Sequence, residues 1–490
     1  MALLIPTSTV IGSGDIVNLA SGDDVWVRSG FSLINTGGGL SDTVISGNFG
    51  DHNVRIDGEI ASGGITIDLS GSNNELSVGA TGSVLNFSSG GGLVNIIFRG
   101  DDSTLTNAGQ IVSSDAAGVN FSNGGDNRVF NSGLIETGHS ALLFGQLSNV
   151  SNNFVTNTGT IISTGAGFHA IAFNAGGSVG SLSTGVNNSG LITSVAGLAI
   201  DASGIGSAMD TGIRIFNTGE ISGTTGSFDG SNAMDTVINR GLMVGEIELG
   251  GGNDLFDGRG GEVVGDVFGD AGDDLMIGGA FDDLLNGGDD NDDLRGRDGD
   301  DLLVGAEGDD MLWGGNGDDE LQGGVGADTL IGGAGNDLLV GGDGADTING
   351  GDGDDLIQGG ASDGVNNQFL RGEGGNDEIV GGETRDIMNG GTGDDNLSGF
   401  GGNDFMLGGT GNDLFAGGFG NDAIRGEDGI DTARYSGASS DFQIFLDANG
   451  TLRVNDQNSM DGNEGNDNLT GIEFLQFSDG TFAVDDLLAA

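Results

Sequence analysis

Between Gly269 and Arg434 the chain counts in nines, and that period constrains the fold more than any other feature of the 490 residues. Ten consecutive rows run from Gly269 to Gln358, among them GRDGDDLLV, GGNGDDELQ and GGAGNDLLV. A 13-residue row follows (Gly359 to Arg371), and seven more nines start at Gly372. All 17 regular rows carry Asp at the sixth position. Sixteen carry a large apolar residue at the eighth, Ala433 being the exception, and 14 carry Gly at the fourth. A Gly/Asp-rich chain would ordinarily bury too little apolar surface to offset its ordering entropy. Strict repetition with one apolar residue per row instead predicts a solenoid, in which each coil buries its side chains against the next.

Charge narrows the partners. The chain has 74 acidic residues against 14 basic ones, all Arg, for a formal net charge of −60. Residues 1–248 carry −15 of this and residues 249–490 carry −45. A field of that sign repels nucleic acid and attracts cations. With no Cys, disulfides and thiolate metal sites are excluded. No apolar run reaches the ~20 residues of a spanning helix, and MALLIPTSTV lacks the basic start of a cleaved signal peptide.

Residues 1–248 hold a looser repeat: NAGQI at Asn107, NSGLI at Asn131, NTGTI at Asn157, NSGLI at Asn188, NTGEI at Asn217 and NRGLM at Asn239. IDGEI from Ile56 and ATGSV from Ala80 are weaker copies. The six Asn are 24, 26, 31, 29 and 22 residues apart, with short alternating stretches such as Val94–Phe98 and Ile213–Phe216 between them. Period-two strands with Gly, Ser and Asn punctuation predict coils of a parallel β-helix. The Asn should stack into a hydrogen-bonded ladder at one corner, with the extra residues in outward loops. This segment resembles the right-handed parallel β-helices of bacterial surface proteins and polysaccharide-active enzymes. No spacer separates the two repeats, so they are expected to abut end to end.

In the nines, Gly-Gly-x-Gly-x-Asp reads as a loop and the last three residues as a short strand with the eighth side chain inward. Two rows make an 18-residue coil, so alternate Asp fall on the same edge. Asp274, Asp292, Asp310, Asp328 and Asp346 line one; Asp283, Asp301, Asp319, Asp337 and Asp355 line the other. Beyond the 13-residue row the series continues with Asp377, Asp386, Asp395, Asp404, Asp413, Asp422 and Asp431. Coils about 4.8 Å apart would stack these carboxylates against strong repulsion unless a cation lay between them. Calcium takes 6–8 oxygens, carboxylate and carbonyl mixed, in flexible geometry; magnesium prefers tighter octahedra and zinc wants His or Cys. The 17 Asp are therefore the candidate metal ligands. The rows resemble the RTX (repeats-in-toxin) family, which implies a right-handed β-roll holding calcium between coils through the Asp and loop carbonyls. Phe281, Asp290 and Thr384 replace the fourth-position Gly, which predicts weak or empty sites there.

The expected organisation is all-β: a β-helix over 1–248, an RTX roll over 249–434 and a β cap over 435–490. The cap carries Tyr435, Phe442, Phe445, Phe474, Phe477 and Phe482 to hide the last coil. Its LTGIEFLQFSDGT block resembles the close of RTX exoproteins, which implies type I (ABC transporter) secretion from a C-terminal signal and an extracellular or cell-surface destination. No HExxH zinc site or GxSxG elbow occurs, and His52, His139 and His169 form no catalytic motif. The sequence thus reads as a secreted, calcium-folded, non-enzymatic protein in a surface, matrix or adhesive role, with surface polysaccharide or self-association as partners. The alternative is a polysaccharide lyase, a C5-epimerase or a glycan-binding module on the β-helix.

Overall fold

A computed structural model describes residues 3–4, 10–12, 16–35, 43–87, 94–123, 125–145, 152–174, 184–205, 212–361, 367–458 and 464–489. It is a nearly all-β parallel solenoid that divides into two compact units, Met1–Gly272 and Asp273–Ala490. Among the described residues no helix is long and apolar enough to cross a membrane.

In the first unit each coil has three strands. One coil comprises Thr104–Asn107, Gln110–Ser113 and Ala117–Asn123, and each strand pairs in parallel with its counterparts in the coils before and after. Alternation of the side chains fills the interior with three columns. Leu105, Val129 and Val155 form one and Ile111, Ile135 and Ile161 the second, all fully buried. In the third, Phe98, Phe121, Phe144 and Phe173 stack ring on ring at 4.8–4.9 Å. These Phe are core.

The predicted Asn ladder is present. Asn107 Nδ2 donates to Asn131 Oδ1, and the same bond links Asn131 to Asn157, Asn157 to Asn188, Asn188 to Asn217 and Asn217 to Asn239, all at 2.8–2.9 Å. Each of the six side chains is buried. The Gly two places on has no room for a side chain: a Cβ on Gly159 would meet the backbone of Ser132 and Gly133.

In the second unit each 18-residue coil has two strands. Leu302–Glu307 pairs with Leu284–Asp289 and Glu320–Val325 on one side, and Met311–Asn316 pairs with Asp293–Asp298 and Thr329–Ala334 on the other. The eighth-position residues form two fully buried columns, for example Leu285, Leu303 and Leu321, and Leu294, Leu312 and Leu330. Leu370 and even the small Ala433 keep this inward place. Residues 362–366 of the 13-residue row lie outside the described residues. Glu378–Val380, Asn396–Ser398 and Leu414–Ala416 have the expected three residues, whereas the strands from Leu284 to Ala361 have six. They continue through the next row's first three positions, with the first glycine buried like the apolar residue before it.

After Arg434 the chain leaves the roll in an antiparallel hairpin, Phe442–Leu446 with Leu452–Asp456, turning at Gly450 with φ 81°. Tyr435, Phe442 and Phe477 cluster with ring centroids 5.0–5.6 Å apart. The strands Phe474–Phe477 and Gly480–Ala483 and a five-residue helix, Val484–Leu488, complete the cap.

Candidate metal centre

The row sequence places its Asp in one repeated setting. From Asp292 to Asp431 every sixth-position Asp except Asp386 offers Oδ1 to the backbone N–H of the Asp one coil earlier. Asp274, Asp292, Asp310 and Asp328 donate to Asp292, Asp310, Asp328 and Asp346 at 2.8–3.0 Å. On the other edge the series Asp283, Asp301, Asp319, Asp337, Asp355, Asp377, Asp395, Asp413 and Asp431 is linked the same way at 2.8–2.9 Å. A third run links Asp386, Asp404 and Asp422 at 2.9 Å.

The second oxygen is left over. In 14 rows, from Asp292 to Asp431, Oδ2 is buried with no hydrogen-bond partner. Leaving a carboxylate oxygen in this condition costs several kcal/mol unless a cation or proton meets it. It points to where a side chain on the row's first glycine would sit. A Cβ on Gly305 would lie 2.6 Å from the Gly323 carbonyl oxygen and closer still to Asp310 Oδ2. Gly332, with Asp337 Oδ2 and the Gly350 carbonyl at 2.7 Å, repeats the arrangement. The first glycine is thus required for space, beside a carboxylate and a carbonyl that face one point. The fourth glycine is required for conformation: all 14 have φ between 124° and 154°. Among the described residues no three His, Cys, Asp or Glu side chains converge. A cation here would take one Asp oxygen per coil and complete its shell with carbonyls, the mixed oxygen set that suits calcium.

The rows without the fourth glycine divide. Asp290 adopts φ 75°, and Asp292 in its row keeps the common geometry. In the rows of Phe281 and Thr384, Asp283 and Asp386 instead turn Oδ2 toward a local amide. Gly279 N–H reaches Asp283 at 2.6 Å and Gly382 N–H reaches Asp386 at 2.7 Å. In these two rows Oδ2 is already engaged.

Electrostatics agrees with the geometry. Burial, reinforced by neighbouring carboxylates, pushes Asp301, Asp319, Asp328, Asp355 and Asp395 up to about 7 and Asp292 and Asp404 up to about 8. Burial alone leads for Asp346 and Asp422, at about 6. Burial thus favours the protonated form of these carboxyls, and a cation between them would take the place of the protons.

Sequence reasoning missed several members. Gln368, fully buried, takes the seat of an Asp in the 13-residue row, paired with Asp386 in the sheet. Fifth-position Asp and Asn build a second, exposed ladder running the opposite way, as in Asp300 N–H to Asp282 and Asp318 N–H to Asp300, both 3.0 Å. Asp467, whose N-terminal neighbour is Asn466 and whose strand ends in Leu469-Thr470, lies in GNEGNDNLT. That stretch has Gly fourth, Asp sixth and Leu eighth, and so was a legible eighteenth row. In the first unit, one sheet face brings together outward Asp201, Asp229 and Glu248 in adjacent strands. His169 Nε2 lies 3.4 Å from Asp201, and burial with Asp201 and Glu248 pushes Asp229 up to about 6. His139 stacks on Phe168 at 3.4 Å.

The family model described as RTX calcium-binding nonapeptide repeat matches residues 268–303, 295–330, 304–339, 331–365, 364–397 and 398–433. No curated protein matches the chain. Residues 268–433 are therefore RTX calcium-binding nonapeptide repeats, built as a parallel β-solenoid.

Proposed function

We propose that this is a secreted RTX protein that folds on meeting extracellular calcium and serves a non-enzymatic surface, matrix or adhesive role. The observation that carries the reading is the stack of buried, unpartnered Asp oxygens facing glycine carbonyls. Calcium would supply the countercharge that makes these stacked carboxylates compatible with a folded roll. The chain's own residues do the rest: the Asp Oδ1 atoms fix coil register, the first glycines keep the cradle open, and the buried Leu and Ile columns hold the two edges apart. In a compartment poor in calcium the acidic rows would remain unfolded, the state that a type I transporter can thread. An adhesive role is supported by a column of outward ninth-position residues in one sheet, Arg295, Trp313, Ile331, Asn349 and Arg371. Here Arg295 lies over the Trp313 ring at 5.9 Å, the kind of platform a surface polysaccharide would stack on.

Secretion is tested by expressing the full chain beside a type I system, with and without its last ~60 residues, and assaying cells and medium. Export of the truncated chain at the same level would refute the secretion reading. A second reading, a carbohydrate-active enzyme, is favoured by the His169–Asp201 pair and the adjacent Asp229 and Glu248. Uronate polysaccharides incubated with the protein and with Asp229→Asn test it: an unsaturated product or C5 inversion lost in the variant would establish this reading instead.

A further inference from the structure

The cap does more than cover the last coil. Its strand Asn466–Thr470 joins the roll in parallel, with Ala423 opposite Asn468, Ile424 opposite Leu469 and Arg425 opposite Thr470. Asp422 N–H donates to Asp467 Oδ1 at 2.9 Å, the same bond that links each row to the next. On the opposite edge the rows end at Asp431, which is fully buried and whose Oδ2 has no hydrogen-bond partner. The residues that follow it in space are not a nonapeptide. Asp431 N–H donates to Glu473 Oε2 at 2.9 Å, and Thr432 pairs with Phe474. A Cβ on Gly426 would collide at once with Asp431 Oδ2 and with the Gly471 carbonyl oxygen. Gly471 thus stands where a row's first glycine carbonyl stands, and Glu473 stands where its Asp stands. The repeat match ends at residue 433, so neither belongs to it.

We propose that Asp431, the Gly471 carbonyl and Glu473 form a terminal calcium site, and that filling it docks the cap onto the roll. The proposal rests on the calcium reading of the rows. Glu473 is exposed while Asp431 is buried, so the site opens to solvent on the cap side and can fill after the roll has formed. The cap is thereby a calcium-gated element, whose closure reports completion of the last coil. A glutamate, one methylene longer than Asp, suits a place only two residues after its glycine, where a regular row has five, as from Gly426 to Asp431.

The single tyrosine of the chain provides the test. Tyr435 is buried in the cap against Phe442 and Phe477, so full-length protein labelled with 3-fluorotyrosine gives one fluorine resonance that reports cap docking. Calcium is titrated while far-UV circular dichroism follows the rows and the resonance follows the cap, with bound ions counted by equilibrium dialysis. In Glu473→Ala the dichroism midpoint should stay within about twofold, whereas the Tyr435 transition should need roughly tenfold more calcium and one ion fewer should bind. Glu473→Gln, which keeps the acceptor for Asp431 N–H and removes the charge, should shift the Tyr435 transition in the same direction. If Glu473→Gln titrates like wild type, the carboxylate is structural only and the proposal falls, even where Glu473→Ala leaves the cap undocked. An unchanged Tyr435 titration in Glu473→Ala overturns it as well. A wild-type roll with no calcium response would instead overturn the reading of the rows.

Discussion

Removing calcium should unfold the roll at pH 8 and leave it folded near pH 4.5. The argument starts from Asp319, which is 2% exposed and whose carboxyl is pushed from 3.8 to about 7, first by burial and then by Asp337. A shift of about three units corresponds to roughly 4 kcal/mol per group in the ion-free state, an upper figure because local relaxation relieves part of it. The sign follows from proton binding. The ion-free folded state binds protons more tightly than the unfolded chain, so its stability is greatest below the unfolded pKa near 4 and falls as pH rises through about 7. A domain is stable by only about 5–15 kcal/mol, so a few ionised seats of this kind suffice to unfold the roll. Asp301, Asp328, Asp355 and Asp395, also at about 7, titrate in the same window. Hydrogen exchange read on peptides from 290–360 checks this in chelator and in calcium at both pH values. Protection at pH 8 that is equal with and without calcium would refute the reasoning, as would loss of protection at pH 4.5 in chelator.

Three further outcomes follow from single contacts. Asn157→Leu removes the bonds from Asn157 to Asn188 and to the Gly159 and Leu191 carbonyls, together with the bond it accepts from Asn131, and should cost about 2–4 kcal/mol in urea unfolding of the calcium-loaded protein. Ala306→Gly relieves a non-glycine residue at φ 84° and should stabilise the calcium-loaded roll by about 1 kcal/mol, measured by thermal denaturation. Gly332→Ala places a methyl group against Asp337 Oδ2 and the Gly350 carbonyl, and should raise the calcium midpoint several-fold in a dichroism titration.

The sequence revealed most where period and chemistry coincide. Inward Leu and Ile, edge Asp and fourth-position Gly repeat without drift, so their places in the roll could be read directly. The Asn ladder was legible because the Asn-x-Gly signature survives steps of 22–31 residues. What escaped lacked such a marker. Gln368 occupies an Asp seat but is neutral and sits in the one irregular row. Glu473 stands two residues after Gly471 where a regular row has five, so the row spacing does not announce it. Asp201, Asp229 and Glu248 share one sheet face although 28 and 19 residues separate them in the chain, steps that no period announces. The three-sided coil of the first unit and two-sided coil of the second likewise depend on where the chain turns, which hydrophobic alternation alone leaves open.

The Asn ladder is vectorial. From Asn107 to Asn239 every amide donates toward the later coil, and each after Asn107 accepts from the amide of the earlier one, so the six side-chain dipoles point the same way and polarise one another. At the far end Asn239 Nδ2 donates to the Glu262 carbonyl at 3.0 Å, which terminates the series with a backbone acceptor. A chain of aligned dipoles is indifferent to how much sequence separates its members, provided that each coil returns an Asn to the corner in the same orientation. Whole coils can therefore be gained or lost by duplication or deletion while the corner remains continuous. The first unit is in this sense a heritable ruler whose length can change one coil at a time.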